Sequence, residues 1–245
     1  MQRARSVEVV VPIYNEQEEL ADSIIKLRSF LKKNLKDFNW HITIADNAST
    51  DESLNIARKL KSRYTGVGFI HLDEKGRGRA VKKAWQTSRA DFLSYMDVDL
   101  SSDLRYFRTL ITALVDGYDI SIGNRLMKGS IVKKRPLKRE VLSRGYNILI
   151  KLLFLVHFSD AQCGFKAVNR KVADRLLPNI KDNAWFFDSE LLITGEKVGY
   201  KIFQVPVSWT DNPGSTVRVL KTVSGDLAGL LRLFLDRPWR KINKV

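Results

Sequence analysis

The sequence predicts an α/β fold in which a mostly parallel central sheet is flanked by helices within a single domain. Short apolar runs alternate, in the first half, with segments whose apolar residues recur at helical spacing. Such βαβα order is typical of a parallel sheet covered by helices. Polar clusters directly follow the predicted strands, where open α/β sheets bind ligands. The 245 residues, 44% of them hydrophobic, suffice for one large domain.

The first predicted strand is residues 7–13, an apolar run suited to burial on both faces. Asn15 is then expected to cap a helix, because leucine and isoleucine recur at helical spacing at positions 20, 24, 27 and 31. Further strands are predicted at residues 41–45, 67–72, 92–96, 120–123 and 201–207. Further helices are predicted near residues 51–62, 80–88, 103–115 and 139–157.

The net charge of +15 predicts attraction to polyanions, such as nucleic acid, an anionic lipid surface or phosphorylated small molecules. Residues 125–151 hold nine Lys and Arg against the single acid Glu140. A solvated basic face kept for solubility is the alternative explanation. Cys163 is the only cysteine, which excludes an intrachain disulfide and favours a reducing cytosol.

The longest nearly apolar run, residues 146–158, lies in the long predicted helix and is shorter than the about 20 residues that span a bilayer core. A buried core helix is the simplest interpretation. The alternative is an interfacial helix that lies on a membrane with Lys and Arg at its flanks. Residues 226–235 are a second interfacial candidate, with one face formed by Leu227, Leu230, Leu231 and Phe234.

Asp97 and Asp99 follow the fourth predicted strand. Alternate residues of an extended segment point the same way, so the two carboxylates can serve one hard cation, Mg²⁺ or Mn²⁺. Such a cation would neutralise a departing diphosphate. The alternative is a helix cap, because the good N-cap residues Ser101, Ser102 and Asp103 follow.

Residues 75–80, Lys-Gly-Arg-Gly-Arg-Ala, lie between the third strand and the next helix. Glycines permit close backbone approach, and a helix N-terminus favours a phosphate. The lysine and arginines would add positive charge. The segment is neither a Walker loop nor a Rossmann fingerprint, and an ordinary exposed turn is the alternative.

The order of these motifs resembles family 2 of the glycosyltransferases. Pro-Ile-Tyr-Asn-Glu at 12–16, Asp-Asn-Ala-Ser-Thr-Asp at 46–51, Lys-Gly-x-Gly at 75–78 and Asp-x-Asp at 97–99 occur in the family's order and with roughly its spacing. The resemblance implies a GT-A fold that binds a nucleotide sugar, a UDP- or GDP-hexose. It also implies a metal-dependent hexosyltransferase with Mg²⁺ or Mn²⁺ as cofactor.

The same resemblance assigns roles to individual residues of the first half. The base and ribose would be surrounded by Pro12, Tyr14, Glu16 and Asp46. Lys75 and Gly76 would approach the nucleotide or sugar. Asp97 would contact the nucleotide as a catalytic residue, and Asp99 would bind the metal.

The second half is similar to the polyprenyl-phosphate sugar synthases, which include dolichyl-phosphate glucosyltransferase and dolichyl-phosphate mannose synthase. The matching segments are residues 122–125, 143–147, 160–166, 187–191, 209 and 214–215. The form Gln-Cys-Gly-Phe-Lys at 162–166 is closer to the glucosyl members. The resemblance implies inverting transfer of a hexose, with UDP-glucose the preferred donor, to undecaprenyl or dolichyl phosphate. Residues 1–125 would bind the nucleotide sugar, and residues 126–245 the acceptor and membrane.

By this similarity the acceptor phosphate would be bound by Arg125, Arg144, Gln162, Lys166 and Arg218. A monoalkyl phosphate has a second pKa near 6 and is already a dianionic nucleophile near neutral pH. Positioning and charge stabilisation should therefore dominate catalysis. Asp188 is a candidate catalytic base if the acceptor is instead a hydroxyl, and the alternative for Asp188 and Glu190 is a helix N-terminus near Ser189.

Two other functions fit parts of the sequence. The same core could glycosylate a saccharide or protein hydroxyl. A non-enzymatic nucleic-acid binder would explain the charge, but zinc spacing, an RNP-like strand and a helix-turn-helix are absent, so we expect no nucleic-acid partner. Related synthases often carry transmembrane helices after this domain, and we expect none in this chain. We expect a cytoplasmic protein, peripheral on the anionic cytosolic face of the membrane, with a small flippase-like membrane protein as a candidate partner.

Overall fold

Strands and helices alternate through the computed structural model, which describes residues 4–211 and 219–243. In chain order the strands are β1 (Ser6–Ile13), β2 (Asn39–Asn47), β3 (Val67–Leu72), β4 (Phe92–Met96), β5 (Ile120–Asn124), β6 (Ile131–Lys133), β7 (Phe165–Asn169), β8 (Ile202–Pro206) and β9 (Ser208–Thr210). The helices are α1 (Leu20–Asn34), α2 (Ser53–Arg63), α3 (Arg77–Thr87), α4 (Phe107–Val115), α5 (Leu137–Phe154), α6 (Arg170–Leu176), α7 (Phe187–Val198) and α8 (Val219–Asp236).

The main sheet has seven strands in the order β3-β2-β1-β4-β7-β5-β8. β7 runs antiparallel to its neighbours β4 and β5, whereas the other neighbouring pairs are parallel. The strand order reverses between β1 and β4, and ligands of open α/β sheets bind in the crevice beyond such a point. β6 and β9 form a separate parallel pair. The predicted mostly parallel sheet is confirmed.

Alternating side chains of β1 pack into the two layers of the core. Val10 belongs to the cluster formed with α3, α6 and α7, while Val9 and Val11 belong to the cluster formed with α1, α2 and α4. All three valines are almost fully buried. Burying such a side chain contributes about 1.5–3 kcal/mol. The continuous apolar run therefore reflects helices on both faces of the sheet.

Three sequence-based predictions need correction. α1 begins at Leu20 with Glu19 at its N-cap, so Asn15 does not cap it. Asn15 instead adopts a φ of 54°, and its side-chain oxygen accepts a hydrogen bond from the Thr50 amide at 2.8 Å. α5 ends at Phe154, before the predicted limit, because Leu155 takes a left-handed conformation. Strand β7 was not predicted.

The prediction of a buried core helix at residues 146–158 holds for one side of the segment only, where Ile150, Phe154 and Phe158 lie in the core. α5 buries Ile150 and Phe154 but leaves Leu152 71% exposed, and Leu155, directly after the helix, is 77% exposed. α8 is similar: its buried leucines are 230 and 233, and its exposed apolar residues are Leu227, Leu231, Phe234 and Leu235. Leu230 therefore does not share the exposed face predicted for it. No helix in the described ranges is long and apolar enough to cross a membrane.

Candidate active site

The loops after β1 and β2 form one wall of the crevice and are fastened to each other. The Asn15 amide donates to Ser49 Oγ at 2.9 Å, and the Glu16 amide donates to Ser53 Oγ at 2.7 Å. Pro12 is buried in β1, paired with Ala45, and Tyr14 follows at the strand end. These bonds fix the segment at which a nucleotide base was expected.

Asp46 is fully buried at the end of β2, and its Oδ2 lies 2.5 Å from His71 Nδ1. His71 pairs with Asp46 in the β2–β3 register, which explains the contact. His71 was not predicted from the sequence as a site residue. Its only signal was its place near the end of the neighbouring strand, which has no meaning until the register is known.

The glycine loop after β3 packs on the same wall. Lys75 Nζ lies 3.2 Å from the centre of the Tyr14 ring, a cation–π contact. The Gly76 amide donates to the side-chain oxygen of Asn47. A methyl group at Gly76 would overlap the Asn183 carbonyl, so the close approach requires glycine. Lys75, Gly76 and Tyr14 are thus brought together.

Asp97 and Asp99 lie just beyond β4, at the floor of the crevice. Asp97 Oδ1 accepts a hydrogen bond from Arg77 Nη2 at 2.6 Å. Asp99 accepts from the Ser101 amide at 2.9 Å and from Ser101 Oγ at 2.6 Å. The helix cap that was the alternative explanation for this segment is Asp103. Its side chain accepts a hydrogen bond from the Arg105 amide at 2.9 Å, at the start of a 3₁₀ turn.

Burial, and after it the charge of neighbouring acids, raises the pKa of two carboxyl groups in this crevice, those of Asp99 and Glu16. Burial and then the charge of Asp97 raise the pKa of Asp99. Burial, followed by the charges of Glu19 and Asp99, raises the pKa of Glu16 to about 7. Closely spaced carboxylates are disfavoured in their charged form unless a cation neutralises them. The crevice is therefore suited to a cation.

A divalent cation shared with a ligand fits these donors. In the described part of the chain, no three His, Cys, Asp or Glu side chains form a metal cluster. Mg²⁺, however, is usually held by one or two carboxylates together with water and substrate phosphates. Asp97 and Asp99 would supply the two carboxylates of such a site.

Asp188 lies beneath the crevice and is only 2% exposed. Its Oδ1 lies 2.9 Å from Lys166 Nζ and also accepts from the Tyr95 hydroxyl, while Oδ2 accepts from Arg77 Nη1 at 2.7 Å. Burial alone would raise the pKa of Asp188, but Lys166 and Arg77 hold it below its usual range. Because its oxygens are occupied by these donors, Asp188 has the environment of a buried structural carboxylate and not that of a catalytic base.

Two of the expected acceptor residues, Arg125 and Lys166, are buried and paired with buried aspartates. Arg125 is buried, and its guanidinium donates to both oxygens of Asp160 at 2.8 and 2.9 Å. Lys166 is fully buried and also donates to the Cys163 carbonyl at 2.6 Å.

The other expected acceptor residues are nearer the surface. Gln162 donates to Asp226 Oδ2 at 2.6 Å. The side chain of Arg144 is 55% exposed and pairs with Glu140 at 2.6 Å. Arg218 lies outside the described residues. Among the acceptor candidates that the structure describes, Arg144 therefore has a guanidinium that solvent, and a ligand, can reach.

Residues 8–177 match the model of a family described as Glycosyl transferase family 2. The chain is 32% identical over 228 residues to glycosyltransferase AglD of Haloferax volcanii, an alignment that covers 92% of this chain but 36% of AglD. It is also 32% identical over 220 residues to dolichyl-phosphate beta-glucosyltransferase of Dictyostelium discoideum, covering 84% of this chain and 67% of that protein. The chain thus spans about a third of the first relative and two thirds of the second.

Among solved structures, the chain resembles glucosyl-3-phosphoglycerate synthase from Mycobacterium tuberculosis in complex with Mn²⁺, UDP-glucose and phosphoglyceric acid. The TM-score is 0.70 at 17% identity, and the match covers 94% of this chain and 79% of the other. At this identity the likeness concerns the fold. The GT-A fold expected from the sequence is confirmed.

Proposed function

Because the chain belongs to glycosyltransferase family 2, we propose that it transfers a hexose from a nucleotide sugar to the phosphate of a polyprenyl phosphate. UDP-glucose is the donor that we favour. Support for the acceptor comes from relatives named dolichyl-phosphate beta-glucosyltransferase, from Dictyostelium discoideum and Saccharomyces cerevisiae among others. Support for the donor comes from the UDP-glucose complex of the solved neighbour.

The observation that carries the proposal is the contact between the two halves of the chain at Asp97. The Asp97 amide donates to the Gly164 carbonyl at 3.2 Å, so the segment that contains Gln162 and Lys166 adjoins the carboxylate proposed for the donor. An acceptor bound along residues 160–166 would therefore lie next to the sugar of a donor bound along Tyr14, Asp46 and Lys75. Such proximity is the main requirement when the nucleophile is already charged.

In the proposed reaction a phosphate oxygen of the acceptor attacks the anomeric carbon in line. The bond from that carbon to the diphosphate breaks, the configuration inverts, and a nucleoside diphosphate leaves. A divalent cation, when bound with Asp99 as ligand, would neutralise the leaving diphosphate. Tyr14, Glu16, Asp46 and Pro12 hold the nucleoside, and Lys75 adds positive charge beside it.

On the acceptor side, we assign direct phosphate contact to Arg144. Its guanidinium is exposed and can exchange Glu140 for a ligand, because an exposed ion pair contributes little. Arg125 and Lys166 already neutralise Asp160 and Asp188, so they would shape the acceptor site and add to its positive potential. Gln162 and Arg218 complete the proposed set.

The same proposal includes peripheral binding to an anionic membrane surface on its cytosolic face. α5 and α8 contact each other, and both expose leucines. Exposed lysines at positions 133, 134 and 138 lie just before and within the start of α5. Apolar side chains beside lysines are the combination with which interfacial helices bind anionic lipids. A small flippase-like membrane protein could add to this anchoring.

The test is a panel of radiolabelled UDP- and GDP-sugars incubated with undecaprenyl or dolichyl phosphate and Mg²⁺ or Mn²⁺, followed by organic extraction. Label in the organic phase is expected for UDP-glucose. Label found only on water-soluble saccharide or protein acceptors would show that the acceptor is a hydroxyl group and not a lipid phosphate. Salt-dependent retention on DNA, without sugar transfer, would overturn the enzymatic proposal.

A further inference from the structure

Arg77 joins Asp97 at the crevice floor to Asp188 beneath it, a role beyond the general positive charge expected of this loop. It is the first residue of α3, and it is only 8% exposed. Nη2 donates to Asp97 at 2.6 Å and Nη1 donates to Asp188 at 2.7 Å. The guanidinium lies 4.8 Å from the Tyr95 ring centre and 5.0 Å from that of Trp185. The side chain is therefore held in one place.

The two aspartates depend on Arg77 to different degrees. Asp188 keeps a cation without it, because Lys166 Nζ lies 2.9 Å away and the Tyr95 hydroxyl also donates to it. In the described part of the chain, Asp97 is paired with one cation, Arg77. On its other side the Asp97 carboxylate packs against Gly164. Loss of Arg77 would therefore release Asp97 while leaving Asp188 anchored.

We propose that Arg77 is a positioning residue that fixes the Asp97 carboxylate for a nucleoside diphosphate. The inference rests on the proposed function and extends its donor half. Asp188 is held rigidly beneath the crevice by Lys166 and Tyr95. Arg77 connects this buried group to Asp97, and Asp97 faces the crevice. The charge of Arg77 also offsets part of the negative charge of Asp97, Asp99 and Glu16, which would otherwise repel a diphosphate.

Loss of Arg77 should weaken the binding of the phosphates of the ligand and spare the binding of its nucleoside. A variant without the guanidinium should lose affinity for a nucleoside diphosphate, since the freed carboxylate adds repulsion and disorder near the phosphates. The nucleoside part is held by Tyr14 and Asp46, which Arg77 does not contact, so the affinity for the nucleoside alone should stay. A general collapse of the site would weaken both ligands equally.

The experiment measures UDP binding by calorimetry and uridine binding by ligand-observed NMR, both with Mg²⁺, in the full chain. GDP and guanosine form a second pair. We expect Arg77→Gln to weaken nucleoside diphosphate binding at least tenfold and nucleoside binding less than twofold. Lys83→Gln is the matched control: it removes one positive charge from an exposed position of the same helix, outside the glycine loop.

Arg77→Lys covers the case in which Arg77→Gln fails to fold. A lysine keeps the charge but cannot donate to both aspartates as the planar guanidinium does, so we expect an intermediate loss of diphosphate affinity with nucleoside affinity unchanged. Wild-type affinity for the diphosphate in the variant that folds would overturn the inference while the proposed function stands. Equal losses for diphosphate and nucleoside would also overturn it. A wild-type protein that binds neither nucleoside diphosphate would overturn the proposed function itself.

Discussion

The carboxylate of Asp97 packs directly on the backbone of Gly164, so a methyl group at Gly164 would overlap Asp97 Oδ2. We predict that Gly164→Ala lowers sugar transfer more than tenfold, because Asp97 must leave its position. The loss should appear in initial rates, with a far-UV circular dichroism spectrum like that of the wild type. Gly145→Ala is the control, since nothing lies within 4 Å of the added methyl there. Full activity in Gly164→Ala would mean that the position of Asp97 is unimportant.

Asp99→Ala should abolish transfer and leave the fold intact. The carboxylate is proposed to bind the metal, and its partners in the structure are the amide and hydroxyl of Ser101 on the same loop. Asp103→Ala, which removes a nearby capping carboxylate, should keep most of the activity. The measurement is transfer of labelled sugar with and without exhaustive chelation. Wild-type transfer that survives chelation would contradict a metal role for Asp99.

Arg144→Ala should impair use of the lipid phosphate and spare donor binding. A charge-assisted contact is worth about 1.5–3 kcal/mol, so the KM for the acceptor should rise roughly tenfold or more. Lys59→Ala, which removes a positive charge at an exposed position of α2, is the control for kinetics. Equal losses for donor and acceptor in Arg144→Ala would show that the acceptor site is elsewhere.

Arg125→Ala should behave differently, because it leaves the buried carboxylate of Asp160 without its cation. Breaking a buried ion pair in this way costs about 3–5 kcal/mol. The expected result is a marked fall in the free energy of unfolding, measured by urea denaturation. A variant as stable as the wild type would indicate that Arg125 serves ligand binding alone.

Co-sedimentation with anionic liposomes should weaken from low to high salt, because salt screens the attraction between lysines and lipid. The triple variant Lys133/Lys134/Lys138→Ser should bind roughly a hundredfold less well, because each lysine contributes about 1 kcal/mol. Arg135 is unsuitable for this test, since its side chain is only 6% exposed. The control removes three exposed lysines from α1 and its end, Lys32/Lys33/Lys36→Ser. Equal binding of both variants would exclude this surface.

Asp226→Asn should raise stability more at pH 8.5 than at pH 5. Asp226 is buried in α8, and its Oδ1 has no hydrogen-bond partner among the described residues. Burial raises its pKa to about 7, from an ordinary value near 3.8. The folded protein therefore holds this proton more tightly than the unfolded chain, and stability is lost as pH rises through about 7.

The asparagine variant avoids that loss and can still accept the hydrogen bond from Gln162. We expect a gain of about 1 kcal/mol or more at pH 8.5, read from thermal unfolding across pH. Asp236→Asn, on the same helix, is the control, because pairing with Lys181 lowers the pKa of Asp236 and no gain is expected. A gain independent of pH would contradict a titrating Asp226.

The sequence predicted the parallel strands well because their signal is local. The apolar run at residues 92–96 coincides with β4, which is buried along its whole length because the sheet is covered on both faces there. The run at residues 67–72 coincides with β3, although this edge strand is only partly buried. Strand β7 was missed because Lys166 interrupts its apolar pattern. That lysine is buried only because Asp188, which is far along the chain, neutralises it.

The motifs predicted which residues belong to the candidate site, but they did not predict the contacts among those residues. Tyr14 and Lys75 were both expected near the nucleotide, yet their stacking could not be inferred from either motif alone. Arg125 and Lys166 were assigned to the acceptor as free cations, whereas each has a buried aspartate as partner. Such pairings depend on strand register and helix packing, which no local pattern encodes.

The antiparallel strand β7 also constrains how the protein can fold as it is synthesised. β4 and β5 are not adjacent in the sheet, because β7 lies between them and pairs with both. A nascent chain that ends before residue 165 would expose an unpaired edge on each of these strands, a form prone to association with other chains. β4 and β5 should therefore be joined in one sheet only after the Phe165–Asn169 segment has left the ribosome, and a ribosome-bound chain truncated before it should remain sensitive to protease.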